Sequence, residues 1–147
     1  MTGLFNNPRR RLRTLIKQAR KEKNSVEREK KYDEALEYGH GIEKKLEHDP
    51  DIAFIIGTIY YIKGDSQKTL EYMNNVLEIG IFDLDALAIK ASVYLNLKNK
   101  DKVIECCNKI KELDPIKELL DNMFPYHYSY WLGYFMPCYT LCILNCY

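Results

Sequence analysis

A chain of 147 residues, 46% apolar and 29% charged, has the make-up of one globular domain with a continuous core, which excludes a disordered or fibrous protein. The net charge of +1 hides an asymmetry. Met1 to Lys31 carries 11 Lys and Arg against 3 Asp and Glu, Tyr32 to Asp121 carries 11 against 18, and Asn122 to Tyr147 carries none, so the chain has a basic head, an acidic middle and an uncharged end.

The first element is a helix. Leu12, Leu15, Ile16 and Ala19 share one helical face, beside the basic run Arg9-Arg10-Arg11-x-Arg13. That run reads as a solvated face, or as a contact for an anionic membrane surface or nucleic acid. No aromatic residue interleaves it, so bases have no stacking platform and nucleic acid is not the expected partner. Ala35, Leu36 and Ile42 mark the next helix.

Asp49-Pro50 then reads as a cap followed by proline at the first helical position. Ile52, Ile55, Ile56, Ile59 and Ile62 mark one face of a third helix, with Tyr60 alongside. Gly64-Asp65 supplies a turn and a new cap, and Leu70, Met73, Val76 and Leu77 carry the amphipathic pattern of a fourth helix. Gly57 is small where two helices approach closely, and Ala91 repeats it later.

These elements recur at an offset of 34 residues. Ala35, Thr69 and Val103 fall in register, as do Leu36, Leu70 and Ile104, then Glu37, Glu71 and Glu105, then Tyr38, Tyr72 and Cys106, and then Ile42, Val76 and Ile110. The preceding half agrees over two copies: Gly57 with Ala91, Tyr60 with Tyr94, and Asp65 with Asn99. In the first copy Lys23 and Val26 occupy the small and aromatic positions, so that copy reads as a degenerate cap.

Ile116, Leu119, Leu120, Met123 and Phe124 form one more amphipathic face, stopped by Pro125 and suited to cover the last repeat. Asp114-Pro115 reads as its cap. Pro125 to Tyr147 is an aromatic, cysteine-rich segment open to three readings: a membrane anchor, a tail packed on the repeats or on a partner, or an aberrant end. Cys138, Cys142 and Cys146 align on a helix, so with His127 they admit a metal site, and near a membrane palmitoylation. The five cysteines do not form a disulfide framework and no apolar stretch follows Met1, so reduced thiols in a cytosolic setting, with no metal, are the expectation.

The stretch Ile56-Gly57-x2-Tyr60-x3-Gly64-Asp65-x3-Thr69-Leu70-Glu71-Tyr72 resembles the tetratricopeptide repeat. Tyr32 to Tyr38 resembles the second helix of the same repeat, and Leu87-x3-Ala91-x2-Tyr94 with Leu113-Asp114-Pro115 resembles a third copy. The resemblance implies an all-α protein: a right-handed superhelical stack of about three helical hairpins plus a C-terminal capping helix. It divides the chain into an N-terminal tail at 1–8, repeats at 9–49, 50–83 and 84–117, a capping helix at 115–124 and the uncharged tail at 125–147.

It also implies a non-enzymatic scaffold or adaptor in the cytoplasm that receives another protein, as a peptide or helix, in a concave groove lined by the first helix of each hairpin. Carried over in register, the groove residues are Arg20 and Asn24; Phe54, Thr58 and Tyr61; and Asp85, Ala88, Ser92 and Leu95. Chaperone-adaptor members grip a C-terminal carboxylate with Lys, Arg and Asn. Here Arg20 and Asn24 match the first pair, but Ile55 replaces an Asn, and Asp85 and Ile89 replace a Lys and an Arg, so that mode is not expected. The alternative function is a tail-anchored membrane adaptor with 125–147 as the anchor, and self-association is open.

No catalytic residue and no cofactor are expected. Gly39-x-Gly41 lacks the strand–loop–helix context of a phosphate loop, the three histidines are scattered, and the carboxylates read as outer helix faces. No small-molecule substrate is implied.

Overall fold

Short polar side chains open five of the helices that the sequence anticipates. Asn7 accepts from the N–H groups of Arg9 and Arg10, Asn24 from Val26 and Glu27, Asp49 from Ile52, Asp65 from Lys68, and Asn99 from Lys102. The computed structural model describes residues 7–46, 49–80 and 83–114. Among them lie α1 (Pro8–Lys21), α2 (Ser25–Glu43), α3 (Pro50–Lys63), α4 (Ser66–Ile79), α5 (Asp83–Asn96) and α6 (Lys100–Leu113), with no strand. The expected capping helix at 115–124, the segment 125–147, and Pro115, His127, Cys138, Cys142 and Cys146 lie outside the described residues.

The fold is all-α, and neighbouring helices pack in pairs: α1 with α2, α3 with α4, and α5 with α6. The chain divides into two compact units, Met1–Phe82 and Asp83–Tyr147. In the first unit α3 also packs against α1 and α2. That position explains its composition. Ile52, Ala53, Ile55, Ile56, Gly57, Thr58, Ile59 and Tyr60 are all buried, so α3 is covered nearly all round rather than on one face. Ile62, assigned to that face from the sequence, is instead 39% exposed. Leu12, Ile16 and Ala19 of α1 and Tyr32, Ala35, Leu36 and Ile42 of α2 complete this core.

The second unit buries Ala86, Leu87, Ile89, Ala91 and Val93 of α5 against Cys106, Cys107 and Ile110 of α6. Cys106 is a free thiol there, pushed up from its ordinary pKa by burial.

The first hairpin corrects the register. The offset of 34 residues placed Lys23 and Val26 inside its first helix, but Lys23 lies in the turn between α1 and α2, and Val26 is 74% exposed in the first turn of α2. Asn24 caps the helix where the repeat pattern wants it uninterrupted, so α1 ends early and α2 grows to 19 residues against 14 in α4 and α6.

The other two hairpins share one turn. Gly64 has φ +80°, and the N–H groups of Gly64 and Asp65 donate to the carbonyls of Tyr61 and Tyr60. At the matching positions Lys98 has φ 57°, and Lys98 and Asn99 donate to Leu95 and Tyr94. A lysine held left-handed is strained where glycine is not. Lys98→Gly is therefore expected to stabilise the second unit by ~0.5–1 kcal/mol, read as a raised urea midpoint. An unchanged or lowered midpoint would show that the turn is not strained.

Candidate functional site

The candidate residues fall on three stretches. Phe54, Thr58 and Tyr61 follow one another along α3 at i, i+4 and i+7, which puts them on one helical face. Phe54 and Tyr61 are half-buried. Thr58 is only 5% exposed, and its hydroxyl donates to the Phe54 carbonyl at 2.8 Å, so it faces the interior and its polar group is satisfied locally. In the second unit Asp85, Ala88, Ser92 and Leu95 run along α5 at i, i+3, i+7 and i+10. Asp85 is exposed in the first turn, Ala88 and Ser92 are half-buried, and Leu95 is 37% exposed. Leu97, beyond the end of the helix, is more exposed still.

Arg20 and Asn24 lie at the end of α1 and in the turn that follows it. Arg20 is exposed in the last turn of α1, and the Asn24 side chain is engaged by the N–H groups of Val26 at 2.9 Å and Glu27 at 3.3 Å. The Asn24 N–H in turn donates to Glu22, whose carboxyl is held below the usual range first by its bond from Lys31.

The basic head is partly turned inward. Arg9 donates through Nε to Asp49 Oδ2 at 2.8 Å, and Arg13 donates to Asp51 Oδ1 at 2.9 Å. The Arg11 guanidinium lies 4.7 Å from the centre of the Tyr38 ring. Asp49 is the exception to the reading of carboxylates as outer-face residues: its side chain is 6% exposed, caps α3 and receives Arg9. The bond to Asp49, and then its charge, raise the Arg9 pKa. Asp49→Ala removes the cap and is expected to destabilise the first unit by ~1–2 kcal/mol, while Asp49→Asn keeps the cap oxygen and loses clearly less. Equal losses in urea unfolding would show that the cap contributes nothing.

A second polar cluster has no counterpart in the repeat pattern. His40 Nε2 lies 2.9 Å from the Tyr60 hydroxyl, and His40 Nδ1 lies 3.2 Å from Glu43 Oε2. Tyr72 donates to Glu43 Oε2 at 3.0 Å. The Tyr60 and Tyr72 rings stack with centroids 5.7 Å apart, and the Lys68 ammonium sits 4.8 Å from the Tyr60 centroid. Burial, reinforced by the Glu43 charge, pushes the Tyr72 pKa well above its ordinary value, so its proton stays in place as a donor. The cluster ties α2, α3 and α4 together and works as a structural lock. Tyr60 and Tyr72 were legible as repeat positions, whereas His40 and Glu43 carried only their i, i+3 spacing.

Among the described residues no group of three or more His, Cys, Asp or Glu side chains could hold a metal ion, and no helix is long and apolar enough to cross a membrane. Residues 84–117, which begin within α5 and include all of α6, match the family model described as tetratricopeptide repeat. No curated protein matches the chain.

Proposed function

We propose that this tetratricopeptide repeat protein is a non-catalytic scaffold that binds another protein, as a peptide or a helix, through the first-helix faces of its repeats. Tetratricopeptide repeats are generally protein-interaction modules, and the family is typically non-catalytic. The observation that carries the reading is the family match over the α5–α6 hairpin, whose first helix leaves Asp85 and Leu95 exposed along the candidate face. On α3 the contact residues are Phe54 and Tyr61, aromatic side chains of the kind that dominate interface energies. Thr58, being buried, is left out of the contact set.

Binding to a C-terminal carboxylate by a basic clamp is not part of this reading. Asp85 sits where such a clamp needs a cation, and Asn24 is already engaged as a cap.

The test is affinity capture from cells of the source organism with the full chain, alongside Tyr61→Ala and Leu95→Asp. A discrete protein retained by the parent and lost by both variants supports the reading. Identical retention by all three, or carboxylate-dependent binding of a peptide ending in Glu-Glu-Val-Asp, overturns it.

A further inference from the structure

Helix α1 holds seven cations among its 14 residues and no carboxylate. Three are answered from within the first unit: Arg9 by Asp49, Arg13 by Asp51, and Arg11 by the Tyr38 ring. Arg10, Lys17, Arg20 and Lys21 are exposed and have no ion pair or side-chain hydrogen bond among the described residues, and Arg20 lies off the line that the other three share. At 3.6 residues per turn Arg10, Lys17 and Lys21 fall within about 40° of one line along the helix, roughly 16 Å long. The line runs opposite Ala19, which is buried with Leu12 and Ile16.

The arrangement works against the helix. Arg13–Lys17 and Lys17–Lys21 are like charges four residues apart, and Arg10–Arg13 and Lys17–Arg20 are like charges three apart; each pair is destabilising. A carboxylate at position 17 would turn three of these four repulsions into attractions. A local conflict of this kind, in a helix otherwise well capped and well packed, marks a functional surface.

We infer that the outer line of α1, Arg10–Lys17–Lys21, is a docking surface for an acidic segment of a partner protein, a helix or strand with Asp and Glu at matching intervals. Charge complementarity specifies the occupant. Insertion into a membrane would need the apolar face of α1, which is buried in the core. A nucleic acid would gain no stacking, because no aromatic residue lies on α1. A second copy is a poorer match among the described residues, since the carboxylates of α2 and α6 are interleaved with Lys30, Lys102 and Lys109 and α4 carries only Glu71 and Glu78. A line one helix wide suits a ligand of the same width. This surface lies on α1 alone and does not depend on the faces of α3 and α5.

The experiment measures fluorescence anisotropy of labelled poly-Glu with the full chain at low salt. Three proteins are compared: the parent; Arg10→Glu/Lys17→Glu/Lys21→Glu; and Lys44→Glu/Lys45→Glu/Lys100→Glu, which changes the net charge equally on other exposed positions. The α1 variant is expected to bind at least about tenfold more weakly than the control variant. Lys17→Glu alone is expected to raise the thermal midpoint by about 2–4 °C while weakening poly-Glu binding, an opposite movement that unfolding cannot produce. Equal binding by the two triple variants would overturn the inference, as would tighter α1-dependent binding to phosphatidylserine vesicles or duplex DNA than to poly-Glu.

Discussion

Gly57→Val is expected to destabilise the first unit by ~3 kcal/mol or more, because it overpacks a close approach of α3 to α4. A Cβ at position 57 would meet the end of the Met73 side chain well inside contact distance, and would lie 2.8 Å from Tyr72 Cβ. The Met73 methyl can rotate aside, but Tyr72 Cβ is fixed to its backbone and its ring is held by Tyr60 and Glu43. Even Gly57→Ala, which gains ~1 kcal/mol of helix propensity, is expected to lose ~1–2 kcal/mol net from the forced separation of the helices. Gly41→Ala is the internal control. It lies in α2 with nothing within 4 Å of the added atom, so it is expected to stabilise by ~0.5–1 kcal/mol. Opposite signs for the two alanine variants in urea unfolding are the expected result. A gain at both positions would mean that the α3–α4 contact is looser than the structure shows.

Ile56→Ala comes next, with an expected loss of ~3–4 kcal/mol. Ile56 is fully buried on the helix that packs against all the others of the first unit, so its removal leaves a cavity that neighbouring helices cannot easily close. One wall of that cavity is Gly39 of α2, where an added Cβ would lie 3.0 Å from Ile56 Cγ1 and 3.6 Å from Leu12 Cδ1. Gly39→Ala is therefore strained beside Ile56 and relieved beside Ala. The double variant is expected to recover ~0.5–1 kcal/mol relative to the sum of the single changes. Strict additivity would show that the two positions do not share space.

Much of this architecture was written locally. Asp49-Pro50, Gly64-Asp65 and Asn99 are short-range signals, since a capping oxygen or a left-handed turn depends on residues only a few places away, and all of them form as read. Gly57 and Ala91 were legible because close helix approach requires a small side chain. The first hairpin was misread for an equally local reason. Asn24-Ser25-x-Glu27 is a helix-start signature, and it outweighs a register inherited from the neighbouring repeats. Asn24 is the cap of that start, and Arg20 lies in the last turn of the helix before it.

The contacts that periodicity could not supply are long-range and polar. His40 meets Tyr60 and Tyr72 at separations of 20 and 32 residues, neither of them the repeat period. Arg9 reaches Asp49 across 40 residues. Thr58 was placed in the groove by the register carried over from the family; a threonine that bonds the carbonyl four residues back is at home in a core.

The most direct measurement is site-specific photo-crosslinking in cells of the source organism, with a photoreactive phenylalanine analogue in place of Tyr61, of Leu95 and, as control, of the exposed Lys45. A covalent adduct with the same discrete protein from positions 61 and 95, and none from 45, is the expected result. No adduct at 61 and 95, or equal adducts at all three, would contradict a scaffold that binds its partner through the first helices of its repeats.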